Sequence, residues 1–334
     1  MSDLPRVYLT RRLPQPAIEL LSRFARVSVW PGELPPPRAV LLKQVAEVEG
    51  LLALGCDQID AALLAAAPRL RVVSNYAADH DNIDVAAASR RGILVTSTPD
   101  VLTETTADFA LALMLAAARR VGEAAQYVKA GRWRTWGPET LLGRDLYGAT
   151  LGIVGLGRVG RAVVRRALGF GMRVLYSSPT RRPAAEQPGD LAYAALDELL
   201  AQSDVVSLHC PLTDETYHLI DRAALSLMRP EAILVNTARG PLVDTRALVA
   251  ALQATTLIAA LDVTDPEPLP ADHPLLALPN AIVTPHIASA SVRARTRMAL
   301  MAAENLAAGL RGERPSFLVN PEVWPERVVA VGQT

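Results

Sequence analysis

One stretch restricts the fold of this chain more than any other: TLGIVGLGRVGRAVVRRALGFGMRVLYSSPTRR, residues 150–182. It reads as a buried strand, then Gly155, Gly157 and Gly160 in the pattern G-x-G-x-x-G, then a helix and a second strand, MRVLYS. The first glycine permits a tight turn, the second lets main chain approach a pyrophosphate, and the third lets helix and strand pack closely. The helix N-terminus adds aligned N–H groups that favour an anion. Three glycines alone mark only a turn; between this strand and this helix they specify dinucleotide binding.

The end of the second strand selects the dinucleotide. An acid there would hydrogen-bond an NAD ribose hydroxyl, but this chain has Ser177, followed by Arg181 and Arg182. Two guanidiniums suit a 2′-phosphate through forked, charge-assisted hydrogen bonds, so NADP(H) is favoured, with NAD possible. The alternative is that both arginines are solvated loop charges.

At 334 residues with 50% hydrophobic side chains, the chain has room for two domains. The opening third alternates RVYLT, RVSVW, VEGLLAL, RVVSNYA and ILVTS with Ala-rich helical segments, which implies a parallel sheet covered on both faces. PGELPPPR is a loop inside that unit. From Thr103, TETTADFALALMLAAARRVGEAAQYV predicts one long helix leaving it, followed by a loop whose two tryptophans need burial, against a second subunit if not within the chain. A second strand and helix alternation runs from Thr150 to about Pro285. The amphipathic segment SVRARTRMALMAAENLAAGLRG ends at Gly312, and the tail after it is expected to return to the first unit. The fold class is therefore α/β, with two doubly wound, Rossmann-like parallel sheets.

Lys plus Arg balance Asp plus Glu at 34 each, so no net field draws the chain to nucleic acid or an anionic membrane, and a small-molecule partner is expected. Cys56 and Cys210 stand apart from each other and from any Cys/His cluster, which argues against a disulfide scaffold or metal site. No apolar stretch reaches the ~18 residues of a membrane span and the N-terminus lacks a secretion signal, so a cytoplasmic location is expected.

Three further strand ends bear chemistry. AILVNTARGPLVD places Arg239 after an apolar run, LIAALDVTDPEPLP places Glu267 likewise, and AIVTPHIASAS places His286. In a doubly wound sheet such loops gather at the carboxyl edge, where the cofactor lies. Each residue has a plainer alternative: a surface charge, a solvated acid, a packed core histidine. Together they suit hydride transfer to a 2-keto acid. A guanidinium holds carboxylate and carbonyl oxygen, an imidazolium donates a proton, and a carboxylate keeps the imidazole charged and oriented. The other histidines, His80, His209, His218 and His273, are assigned no chemistry, and Cys210 is expected to be a small packed residue.

At these residues, and over nearly its whole length, the sequence resembles the D-isomer-specific 2-hydroxyacid dehydrogenase family. Within it, TPDVLTETTAD, LDVTDPEPLP, HPLL and NLAAGLRGE are most similar to the glyoxylate/hydroxypyruvate reductase branch. The resemblance implies an NADPH-preferring reductase of small 2-keto acids. It also implies a substrate domain of residues 1–102 and 288–334 split by a dinucleotide domain of residues 103–287, and a homodimer formed through the latter. It places Thr106, Leu156, Arg158, Val159, Pro211, Thr216, Thr237, Ala238 and Asp262 beside the cofactor, with the three glycines. Leu54, Ala78, Asp79, Arg239 and Ser289 fall beside the substrate, and Trp136 matches a tryptophan reaching the neighbouring subunit's site. Where the family usually has Gly after a small apolar residue, this chain has Asp79 after Ala78, and an acidic side chain there weakens anion binding unless it points away. Ala288 replaces a frequent Gly. Two other readings stay open: a dehydrogenase of 2-ketogluconate or another D-2-hydroxy acid, and a nicotinamide-sensing interaction protein of the corepressor type.

Overall fold

The structure, a computed structural model, describes residues 4–183 and 191–324. The chain divides into two compact units, Met1–Leu102 with Ala290–Thr334, and Thr103–Ser289. The second is thus inserted into the first.

In the first unit, β1 (Arg6–Leu9), α1 (Gln15–Ser22), β2 (Arg26–Val29), α2 (Arg38–Val45), β3 (Gly50–Leu54), α3 (Ala61–Ala65), β4 (Val72–Tyr76), α4 (Val85–Arg90) and β5 (Leu94–Thr96) alternate. Their strands pair in parallel in the order β2-β1-β3-β4-β5. Every residue of β4 is buried, as a parallel strand covered on both faces requires. Part of that cover is the C-terminal helix α11 (Val292–Arg311), which packs on α1 and β4. Ser291 caps its start by accepting the Ala294 N–H, and Gly312, at φ 79°, ends it in a left-handed turn that glycine adopts without a Cβ clash. Asn305 on its inner face donates to the Ser97 carbonyl at 3.1 Å, so the returning helix is fixed by polar as well as apolar contacts.

The second unit begins with α5 (Thr103–Ala118) and α6 (Val121–Lys129). The single long helix predicted here is two. Arg120 adopts φ 52°, and the Ala118 carbonyl, which would continue the helix, instead accepts the Arg144 N–H at 2.8 Å. Gly143 makes that approach possible, because a Cβ there would lie 2.4 Å from the same oxygen. Trp133 and Trp136, in the loop that follows, are 63% and 80% exposed within one chain.

β6 (Thr150–Val154), α7 (Arg158–Gly169), β7 (Arg173–Ser177), β8 (Leu191–Tyr193), α8 (Leu196–Gln202), β9 (Val205–Leu208), α9 (Arg222–Leu227), β10 (Ile233–Asn236), α10 (Thr245–Ala254), β11 (Ile258–Leu261) and β12 (Ala281–Val283) complete the unit. All pairings are parallel, in the order β12-β11-β10-β9-β6-β7-β8. The order reverses between β6 and β9, and ligands of such sheets bind at the carboxyl ends of the strands beside that switch. Among the described residues, no helix is long and apolar enough to cross a membrane, and no group of His, Cys, Asp and Glu is placed to hold a metal.

Candidate active site

Because every strand of the second sheet runs the same way, the loops after β6, β7, β9, β10, β11 and β12 all leave from one edge. Gly155 follows β6 at φ 96°. A Cβ there would lie 2.6 Å from the Cys210 nitrogen, after β9, and one at Gly160 would lie 2.3 Å from the Gly155 carbonyl oxygen. The first and third glycines are therefore demanded by packing within the protein. Gly157 differs: a Cβ there would meet nothing within 4 Å. The second glycine opens space rather than filling it, at the N-cap of α7, where no side chain caps the helix. Leu156 is buried under the turn, Val159 is partly buried and Arg158 is exposed.

β10 ends in Asn236, and the next residues form the second part of the site. Asn236 is buried, accepts the Ala238 N–H at 3.0 Å and donates to the Arg239 carbonyl at 2.8 Å, so one amide fixes the main chain on both sides of the turn. Gly240 is equally constrained, since a Cβ would fall 1.9 Å from the Thr264 carbonyl oxygen in the loop after β11. The Arg239 guanidinium donates to the Ala238 carbonyl at 2.8 Å. Thr237 is buried, with a hydroxyl that has no hydrogen-bond partner among the described residues. Such a group costs free energy unless a ligand or water satisfies it.

His286 follows β12 in a left-handed conformation, φ 54°. Asp262, 1% exposed at the end of β11, builds this turn. Its carboxylate accepts the Thr284 hydroxyl (2.6 Å) and the N–H groups of Ile287 (2.9 Å) and Ala288 (2.7 Å), while its carbonyl accepts the His286 N–H (2.9 Å). The His286 Nδ1 lies 2.6 Å from Glu267 Oε1, with both side chains half-exposed. Burial by itself would raise the Glu267 pKa. The hydrogen bond and charge of His286, the Thr264 N–H and the charge of Arg239 outweigh it, holding the carboxyl below its ordinary value. Glu267 is thus an anion at neutral pH, hydrogen-bonded to the His286 ring.

The structure therefore brings together Glu267 and His286, with Arg239 close enough to act on the acid electrostatically. Ser177 ends β7, with Arg181 and Arg182 exposed just beyond. Thr216 accepts the Thr213 N–H at 2.7 Å and donates to the Pro211 carbonyl at 2.7 Å, shaping the loop after β9. Thr106 is buried in α5, and Ser289 is partly buried three residues past the histidine. Leu54, Ala78 and Asp79 belong to the first unit, at the carboxyl ends of β3 and β4, where Asn75 donates to the Asp79 carbonyl at 2.8 Å. Trp136 is exposed in the loop after α6. Sequence reasoning missed Asn236, and missed that the Asp262 carboxylate binds the histidine turn. Both are polar residues at or just past the end of a buried strand, which is the only signal the sequence holds for them.

A dinucleotide fits this edge on the protein's own terms: the open face of Gly157, the helix start without a side-chain cap and the unpartnered Thr237 hydroxyl are each what a bound phosphate or ribose would complete. Residues 111–288 match the family model for the D-isomer specific 2-hydroxyacid dehydrogenase NAD binding domain. The chain belongs to that family. A glyoxylate reductase of Korarchaeum cryptofilum is 52% identical over 96% of this chain and 97% of its own, and one of Aeropyrum pernix is 51% identical over the same shares. Among solved structures, a protein from Thermus thermophilus superposes with TM-score 0.89 at 53% identity, covering 94% of this chain and 99% of its own. An NADPH-dependent glyoxylate/hydroxypyruvate reductase from Sinorhizobium meliloti, solved with NADP and malonate, gives TM-score 0.84 at 33% identity, covering 96% and 98%. The chain is accordingly an NAD(P)-dependent D-2-hydroxyacid dehydrogenase of the glyoxylate reductase type, and its second unit contains the NAD-binding domain.

Proposed function

We propose that this dehydrogenase reduces glyoxylate to glycolate and hydroxypyruvate to D-glycerate, with NADPH preferred over NADH. The observation that carries the reading is the Glu267–His286 pair at the same sheet edge as the glycine turn, beside Arg239. When bound, the nicotinamide supplies the hydride. Arg239 holds the substrate carboxylate and its carbonyl oxygen in the fork of one guanidinium. His286 gives that oxygen a proton from Nε2, because Nδ1 is committed to Glu267. Glu267 orients the ring through Nδ1 and leaves Nε2 directed to the reacting oxygen. Thr237 and the amides at the start of α7 hold the dinucleotide, and Arg181 and Arg182 receive the 2′-phosphate that NADH lacks. The family resemblance assigns Leu54, Ala78, Asp79 and Ser289 to the substrate, and makes the assembly a homodimer in which Trp136 approaches the neighbouring copy.

Coenzyme oxidation followed at the nicotinamide absorbance, with glyoxylate, hydroxypyruvate, 2-ketogluconate and longer 2-keto acids and with both coenzymes, tests this reading. The highest kcat/KM is expected for the two small acids with NADPH. Faster turnover of 2-ketogluconate would replace the substrate assignment, and tight NADPH binding with no acid reduced would replace the catalytic reading by a sensing one.

A further inference from the structure

The segment after β7 carries Arg181 and Arg182, and groups remote from the reacting atoms hold its main chain. The Gly155 N–H donates to the Ser177 carbonyl at 2.8 Å, joining the start of the segment to the glycine turn. The Ser178 hydroxyl donates to the Thr180 carbonyl at 2.6 Å, closing the bend between them. Farther on, the Arg182 N–H donates to the Tyr176 hydroxyl at 2.7 Å. Tyr176 has no solvent exposure, and its ring meets that of Tyr193, in β8, edge to face with centroids 5.5 Å apart. The Arg181 guanidinium lies over the Tyr193 ring, 5.9 Å from its centre. A phenylalanine would fill the space of Tyr176 equally well, and what the hydroxyl adds here is a hydrogen bond that sets where the backbone of Arg182 stands. Tyr193 supplies the corresponding surface for Arg181.

Guanidinium and phosphate form directional bonds, and their strength depends on how far the arginines are positioned before the ligand arrives. NADH has no group for them to meet. We infer that Tyr176 and Tyr193 are positioning residues for coenzyme preference, holding Arg181 and Arg182 where a 2′-phosphate enters and leaving NADH binding untouched. This rests on the reading that those arginines bind that phosphate.

Fluorescence titration with NADPH and with NADH, on the intact protein, provides the test in wild type, Tyr176→Phe, Tyr193→Leu and Arg182→Ala. Tyr176→Phe removes one hydroxyl from a packed ring, and Tyr193 is half-exposed, so thermal unfolding is expected to show both variants folded. Each is expected to weaken NADPH by about fivefold, the scale of one hydrogen bond or ring contact, while NADH Kd stays within about twofold. Equal weakening of both coenzymes would reveal a purely structural role and overturn the inference. So would an unchanged NADPH to NADH ratio in both tyrosine variants when Arg182→Ala lowers that ratio, a result that leaves the phosphate reading standing. A wild type that binds the two coenzymes equally would end both.

Discussion

His209 shows how tightly individual side chains are committed along this edge. It follows β9, its N–H donates to the Val154 carbonyl at 2.8 Å, and its Nε2 lies 2.9 Å from the Ser207 hydroxyl. Burial pushes its pKa down from 6.5 to about 4. A histidine whose folded value is depressed stays neutral while the unfolded chain takes up a proton, so stability falls as pH drops from 6.5 toward 4. The loss is on the order of 3 kcal/mol. Urea unfolding midpoints of wild type and His209→Gln, compared across that range, should converge as the pH falls, because carboxylates contribute equally to both proteins. Parallel curves would show that His209 does not titrate with folding. The neighbouring Cys210 thiol is raised by burial to about 11, so it is held as the packed, protonated residue its isolation in sequence had indicated.

Elements divide sharply in how legible they were. The strand, glycine turn and helix at 150–169 could be read directly because every requirement is local: Gly155 needs its positive φ and Gly160 its close approach within a few residues of one another. The parallel strands could be read as well, since β4, β6, β9 and β10 are buried along their whole length and appear as short apolar runs. The break between α5 and α6 could not. No Pro marks it, Gly122 already lies inside α6, and its cause, the Arg144 N–H on the Ala118 carbonyl, arrives from a segment more than twenty residues away. For the same reason the sequence exposed Arg239, Glu267 and His286 as chemical types at strand ends but hid what holds them. Asn236 works through main-chain groups two and three residues on, while Asp262 reaches across to residues 284–288. A hydrogen bond has no sequence signature on the far side when the partner there is backbone.

At the scale of the whole molecule, the inserted unit carries an unusual surface. α6 has no buried residue, and Val121, Val128, Trp133, Trp136, Leu142 and Tyr147 are all exposed on one chain. Large apolar side chains grouped in one segment mark an interface rather than a solvated face. Sedimentation equilibrium of the wild type is expected to give a homodimer, and Trp136→Asp to weaken it; a monomer at micromolar concentration would contradict that assembly.

The central claim is that His286, oriented by Glu267, supplies the proton while the glycine turn holds the coenzyme. Stopped-flow oxidation of bound NADPH by glyoxylate in a single turnover separates those two functions. In His286→Gln, NADPH Kd should stay within about twofold while the rate falls by about 100-fold or more, with Glu267→Gln intermediate. A rate near that of wild type in His286→Gln, with the coenzyme fully bound, would contradict the account.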